Sequence, residues 1–312
     1  MYIYLSNFVN FAKMDKKRVL IAGGSGFIGK NLYVELWNSK YDVFILSRNR
    51  KLCTRPDFIY WAPENEIIEA DGPLHFDCLI NLCGEGIATK RWTAARKKVL
   101  MESRITPTRF IDSLVRSGRL SITDYIGSSA IGIYGDRPGT SPCNETDVIE
   151  PKSFLADLCS QWEAAHLSLP ESVRKVILRI GLVLADEGGL LDQYRPLLSM
   201  RMVPYFGGGI PYMSWITAKD LCRMILFIME HPKTSGIYNA VADQPVISRD
   251  FAKAFIKSSG KKAFARGIPG FALKWMMGEQ ALLVLESQYV SNKKIRMEGF
   301  RCLSTDISAA FG

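Results

Sequence analysis

Glycines at 23, 24, 26 and 29 follow directly on the apolar tetrad Val19 to Ala22 and open a helix-compatible run from Phe27 to Asn38. Strand, glycine-rich turn and helix form the context that gives the spacing Gly23-x-x-Gly26-x-x-Gly29 a chemical meaning. Such a turn lets the backbone double back tightly, approach a pyrophosphate closely and pack the helix on its strand. The helix N-terminus adds free N–H groups and a partial positive charge. Ser25, Phe27 and Ile28, interleaved with these glycines, complete the expected backbone contacts. A competing pattern occupies the same residues: Gly24-x4-Gly29-Lys30 opens a P-loop, which needs Ser or Thr next to place a hydroxyl on Mg²⁺. Asn31 stands there instead, so the spacing points to a dinucleotide.

The second position of interest is the end of the next apolar run, Asp42 to Leu46, where Ser47 and Arg48 follow. About 20 residues beyond the last glycine, an acid would accept hydrogen bonds from a free ribose 2′-hydroxyl, whereas an arginine suits a 2′-phosphate. The acid is absent and Arg48 is present, which favours NADP over NAD. Further on, Asn81-Leu82-Cys83-Gly84 ends another apolar run. Gly84 permits a close backbone approach, and Leu82 and Cys83 suit the adenosine–ribose side, with Cys83 read as a small buried side chain. Glu85 follows as a candidate acid or base, and Arg104, inside the long helical region Trp92 to Ser117, as a candidate phosphate contact.

These residues need a scaffold that brings strand ends together. Strands are expected at Val19–Ala22, Asp42–Leu46, Phe58–Trp61, Cys78–Leu82, Ile122–Gly127 and Lys175–Ile180, with helices at Phe27–Asn38, Trp92–Ser117 and Lys152–Leu169. Strands alternating with helices at this spacing predict an α/β fold, a Rossmann-type doubly wound parallel sheet with helices on both faces. Beyond Gly181 the regularity fades. Gly188-Gly189, the amphipathic Leu190 to Met200, Gly207-Gly208-Gly209 and Pro211 read as an insertion over the strand carboxyl ends. Thr217-x-x-Asp220 caps a helix at Ala218–Glu230, and 236–241 reads as a strand. The expected organisation is an extension at 1–14, a nucleotide-binding domain at 15–185 to which 213–242 return, and a smaller mixed substrate or lid domain from 186–212 and 243–312.

Composition sets the outer limits. With 312 residues, 47% hydrophobic and 23% charged, the chain has ample material for a core. Its net charge of +9, from 40 basic and 31 acidic residues, is dispersed in short groups that are too scattered for a nucleic-acid stripe. Seven scattered cysteines without a C-x-x-C pair, and three histidines, at 75, 166 and 231, outline no metal site. The thiols read as reduced, hence a cytoplasmic protein. No apolar run reaches the ~18 residues of a membrane span. Absence of a G-x-S-x-G elbow argues against a Ser-His-Asp hydrolase.

The set A-G-G-S-G-F-I-G, N-L-C-G, S-S-A-I-G-I-Y-G, L-R-I-G-L-V-L and W-I-T-A-K-D-L, in this order, resembles the extended short-chain dehydrogenase/reductases. More closely, it resembles their atypical epimerase-like branch, through Gly84-Glu85-Gly86-Ile87, Arg91-Trp92-Thr93, Ser103-Arg104-Ile105 and Trp162 to Ala165. P-G-F-A-L at 269–273, G-E-Q-A-L at 278–282 and E-G-F-R at 298–301 resemble that branch's small terminal domain. The resemblance implies NADP contacts at the glycine turn, Ser47, Arg48, Leu82, Cys83, Arg104 and the backbone near Val183. Ordinary members of the superfamily use a serine, matched by Ser129, and a Tyr-x-x-x-Lys pair, whose places Phe154 and Leu158 take, a loss that the epimerase-like branch shares. Phe154 has no proton to give. Tyr134 and Glu85 are the remaining acid–base candidates, and Thr217 replaces a histidine common in the branch. The expectation is an NADP-dependent oxidoreductase or epimerase, monomer or homodimer, acting on an unknown small carbonyl or hydroxyl compound. The alternative is a non-catalytic NADP(H)-binding sensor or regulatory protein.

Overall fold

The computed structural model describes residues 16–185 and 188–311, so the expected extension at 1–14 lies outside the described residues. The chain opens with strand β1 (Lys17–Ala22), helix α1 (Phe27–Trp37), β2 (Tyr41–Ser47), β3 (Phe58–Ala62) and a short β4 (Ile67–Ile68). It continues with β5 (Leu74–Asn81), α2 (Ala94–Arg116), β6 (Leu120–Ala130), α3 (Phe154–Leu167) and β7 (Arg174–Ile180). A later strand, β12 (Gly236–Ala240), joins these in an eight-stranded sheet of order β12-β7-β6-β5-β1-β2-β3-β4. Every ladder is parallel except β3–β4, which is antiparallel at the edge. This is the doubly wound sheet that the strand–helix alternation predicts.

β1 explains why the apolar tetrad is buried on both faces. Val19 and Ile21 face one layer, with α1 and the later helix α5 (Ala218–Glu230), while Leu20 and Ala22 face the other, with α2. All four side chains are shut off from solvent, as two-residue alternation in a sheet covered on both sides requires. The strand order reverses between β1 and β5, so their carboxyl ends diverge and leave a crevice.

Beyond β7 come β8 (Leu182–Leu184), α4 (Leu191–Ser199), β9 (Met202–Phe206), β10 (Tyr212–Met213), β11 (Trp215–Thr217) and α5 (Ala218–Glu230). Then follow β12 (Gly236–Ala240), β13 (Val246–Ile247), α6 (Ser248–Ser258), β14 (Phe264–Ile268), α7 (Gly270–Met277), α8 (Leu282–Leu285) and α9 (Lys293–Met297). Where fading regularity and helices with loops are expected, the structure holds three small ladders, β8–β11, β10–β13 and β9–β14. Their strands are short, and their partners are distant in sequence. A second core, from Tyr194, Val203, Trp215, Phe251 and Phe255, binds this layer together.

Helix starts follow capping chemistry. Thr93 accepts from the Arg96 amide, so α2 begins two residues after Trp92; Ser153 accepts from Ala156, so α3 begins at Phe154. Thr217 accepts from Asp220 at 3.1 Å, the cap its spacing predicts. Asp220 is itself buried and takes the amides of Leu303 and Ser304, which ties the C-terminal segment to α5.

Candidate functional site

Each glycine of the turn has a steric reason. Gly23 sits at φ +82°, and a Cβ there would lie 2.7 Å from the Leu82 carbonyl, so only glycine lets the turn pass against the end of β5. At Gly29 a Cβ would come within 2.5 Å of the Gly23 oxygen and 2.6 Å of the Gly24 Cα, which shows how tightly α1 seats on the turn. Gly26 closes the turn by donating to Gly23 O at 3.0 Å. It is also the N-cap of α1, offers no side-chain cap, and no acidic residue lies in the first helical turn. The amides around Phe27, Ile28 and Gly29 therefore have no intrahelical acceptor. An uncapped helix N-terminus without nearby acid suits an anion. Asn31 donates to the helix carbonyl of Phe27 at 2.9 Å, so it is occupied within the helix.

From this turn a cleft of about 720 Å³ runs across the ends of β1, β2 and β5. Gly23, Ser25 and Gly26 form its floor. Ser47, Arg48 and Trp61 line one end, and Leu82, Cys83, Gly84 and Glu85 line the other wall. Arg48 is exposed and has no hydrogen-bond or ion-pair partner among the described residues, whereas neighbouring Arg50 pairs with Glu69 and stacks on Tyr60. Ser47 is buried and its hydroxyl accepts from the Asn49 amide. Burial pushes the Cys83 thiol up to about 12, against the opposing pull of Arg48, so it is a neutral, apolar wall element.

Two other candidates are partly engaged by the protein. Glu85 faces the cleft and pairs with Arg96 at 3.3 Å. The Arg104 guanidinium packs against Gly84 and donates to Leu100 O, Ser103 Oγ and Glu85 O at 3.0, 3.3 and 3.1 Å. Burial lowers its pKa, and its plane lies over the Trp162 ring, 5.1 Å away. It braces the loop after β5 from behind. Val183 lies in β8, where its carbonyl accepts from Leu190 and leaves no room for a side chain at Gly189. The aromatic ring of Phe27 fills the space beside Gly188 and Gly189, so the first turn of α1 also buttresses that loop.

Ser129 and Tyr134 meet in a buried network behind the end of β6. Ser129 donates to Glu163 at 2.7 Å, and Glu163 is held by Arg179 through two contacts of 2.9 Å. Arg179 also donates to the Tyr134 hydroxyl at 3.0 Å, and Tyr134 donates to Asn239 at 2.7 Å. Burial raises the Tyr134 phenol to about 12, opposed by Arg179. Both hydroxyls are thus engaged by protein partners. The sequence signal for this network was a charge inside the apolar strand run K-V-I-L-R-I, since an arginine buried in a central strand needs a paired acid.

A second network lies beside it. His166 Nε2 faces Ser128 O at 2.9 Å and so carries the proton, leaving Nδ1 to accept from Tyr125 at 2.7 Å. Asn81 donates to both Tyr125 and Thr108 and accepts from the Cys83 amide, which fixes the loop that walls the cleft. Leu158 is fully packed in α3, and Phe154 lies edge-on to Trp92 with Lys97 over its ring. Among the described residues no group of His, Cys, Asp and Glu is arranged to hold a metal, all seven cysteines are free, and no helix is long and apolar enough to cross a membrane.

Comparison with known proteins agrees with this geometry. Residues 19–241 match the NAD dependent epimerase/dehydratase family, and residues 268–312 match a domain of unknown function, DUF1731. An epimerase family protein of Mycobacterium leprae is 34% identical over 282 residues, covering 86% of each chain. The crystal structure of the human epimerase family protein SDR39U1 (isoform 2) with NADPH is 27% identical, with TM-score 0.85 over 94% of this chain and 97% of that one. A nucleoside-diphosphate sugar epimerase from Corynebacterium glutamicum is 28% identical, with TM-score 0.74, and 57% of its chain is covered.

Proposed function

The chain belongs to the NAD dependent epimerase/dehydratase family, and on that premise we propose that it holds NADP(H) for hydride transfer to or from a small carbonyl or hydroxyl compound. The observation that carries this reading is the pairing of an uncapped glycine cradle with Arg48, unpartnered among the described residues, at one end of the same cleft. When bound, the cofactor supplies or accepts hydride at its nicotinamide. The glycine turn and the first amides of α1 hold the pyrophosphate, Ser47 and Arg48 take the 2′-phosphate, and Leu82, Cys83 and Gly84 wall the adenosine side. Arg104 keeps that wall in place, and Val183 bounds the nicotinamide side. The related human structure with NADPH supports this choice of dinucleotide.

Of the three acid–base candidates, Glu85 faces the cleft, while Ser129 and Tyr134 in this reading serve by fixing the end of β6. Purified protein mixed with NADPH and a panel of aldehydes, ketones and sugar nucleotides is expected to consume reduced nicotinamide with at least one of them. Tight binding without any turnover across the panel would instead favour a sensor role. The closure of both hydroxyls into a buried network is the observation on its side. A sensor must also bind some protein partner differently with and without the cofactor.

A further inference from the structure

Hydride transfer to a carbonyl needs a group that gives a proton to the oxygen. Ser129 and Tyr134 are committed to Glu163 and Asn239, Glu85 is paired with Arg96, and Phe154 has no proton. We propose that Glu286 is the proton-exchanging group of this site, held by the segment after α8 against the start of α3 and the turn that follows β6. This inference rests on the NADP(H)-dependent reading above.

The placement is specific. Arg48 and Trp61 mark the adenosine end of the crevice on the β2–β3 side, so the nicotinamide end lies across the β1–β5 switch, over the ends of β6 and β7. We assign Glu286 to that end because its segment runs beside the turn that follows β6. The Ser153 side chain, whose oxygen caps α3 beside Phe154, stands next to the Glu286 carboxyl. Gln288 bridges Glu286 Oε2, at 3.4 Å, and the Gly135 carbonyl after the β6 turn, at 3.3 Å. The next residue, Ser287, donates its amide to Asp136 at 2.8 Å, and its hydroxyl accepts from the amide of Tyr212 in β10. The start of α3, the turn after β6 and β10 thus meet the short segment that carries this carboxyl.

Its company differs from that of three other shielded acids. Glu163 pairs with Arg179, Asp124 with Arg174 and Asp220 with Arg223. Glu286, only partly exposed, has no cation beside it among the described residues; the groups that face it are Ser153, Asp136 and Gln288. Burial raises its pKa to about 7, with Ser153 opposing and Asp136 reinforcing. A carboxyl kept half-buried without a cation destabilises the fold, and a proton-transfer role accounts for that cost. In the reducing direction hydride from a C–H bond of the reduced nicotinamide, which would be left oxidised, would form the new C–H bond at the carbonyl carbon, the π pair would move to the oxygen, and that oxygen would take the Glu286 proton. The carboxylate left behind is reprotonated from water, and the oxidising direction reverses each transfer.

The test uses the full chain in three measurements. First, infrared titration of the protein without nucleotide should show a carboxyl band lost with a midpoint near neutral pH, absent in Glu286→Gln. No such band, or one retained in the variant, overturns the proposal. Second, calorimetry should show NADPH bound by wild type and variant alike within about threefold. Failure of the wild type to bind overturns the underlying reading, and the proposal with it. Third, NADPH consumption with whichever panel carbonyl the wild type reduces should fall at least about 100-fold in Glu286→Gln and recover in part in Glu286→Asp. Wild-type rates in Glu286→Gln overturn the proposal even where the band and the binding are as expected.

Discussion

At the scale of single residues, the glycines of the turn are fixed by contact rather than by flexibility. Gly29→Ala places a methyl 2.5 Å from the Gly23 oxygen, against backbone that cannot move without opening the turn. The variant is expected to lose about 1–3 kcal/mol of stability in denaturant melts, as overpacked sites do, and to lose nucleotide binding with it. Unchanged stability together with full binding would contradict the cradle geometry. These glycines and Arg48 were legible in the sequence because a backbone turn and a strand-end charge are local features. Glu286 was not legible, because its role depends on Ser153 and Asp136, which lie far back along the chain. Ser129 and Tyr134 were legible as polar residues near a strand end, but their partners Glu163, Arg179 and Asn239 come from three later segments. No local pattern shows which way a hydroxyl turns.

At the scale of elements, the Arg179–Glu163 pair locks β7 to α3 at the sheet end nearest the proposed chemistry. Both side chains are almost wholly shielded. Arg179→Ala leaves Glu163 buried without its cation and removes the donor to Tyr134. A loss of about 3–5 kcal/mol is expected, the range for breaking a buried pair from one side. A loss below about 1 kcal/mol, typical of exposed pairs, would contradict it. The strands and helices of the first half were readable because each carries a long periodic run and a cap or turn signal. The ladders β8–β11, β10–β13 and β9–β14 use strands of two to five residues paired over long sequence distances. So little periodicity is present in such short strands that only their partners define them.

At the scale of the whole molecule, the neutral His166 makes the fold acid-sensitive. Complete burial, opposed by its bond to Ser128, lowers the imidazole to about 4 from 6.5. Between those values the unfolded chain binds a proton that the folded chain refuses, so the contribution of this histidine to stability is full above about pH 6.5 and falls as the pH drops toward 4. Because the raised Glu286 carboxyl shifts stability in the opposite sense over this range, the His166 contribution is read as a difference: in denaturant melts from about pH 7 to 4, wild type should lose stability relative to His166→Gln as the pH falls. An identical slope in the variant would contradict the neutral-histidine network. The same scale joins the two halves of the chain, since the segment that carries Glu286 is bonded to the turn after β6. The most direct measurement of the central claim is a calorimetric comparison of NADPH and NADH on wild type and Arg48→Ala. The expected result is NADPH affinity weakened about 10- to 100-fold, the worth of a hydrogen bond to a charged group, with NADH affinity within about threefold. Equal weakening of both nucleotides, or of neither, would contradict it.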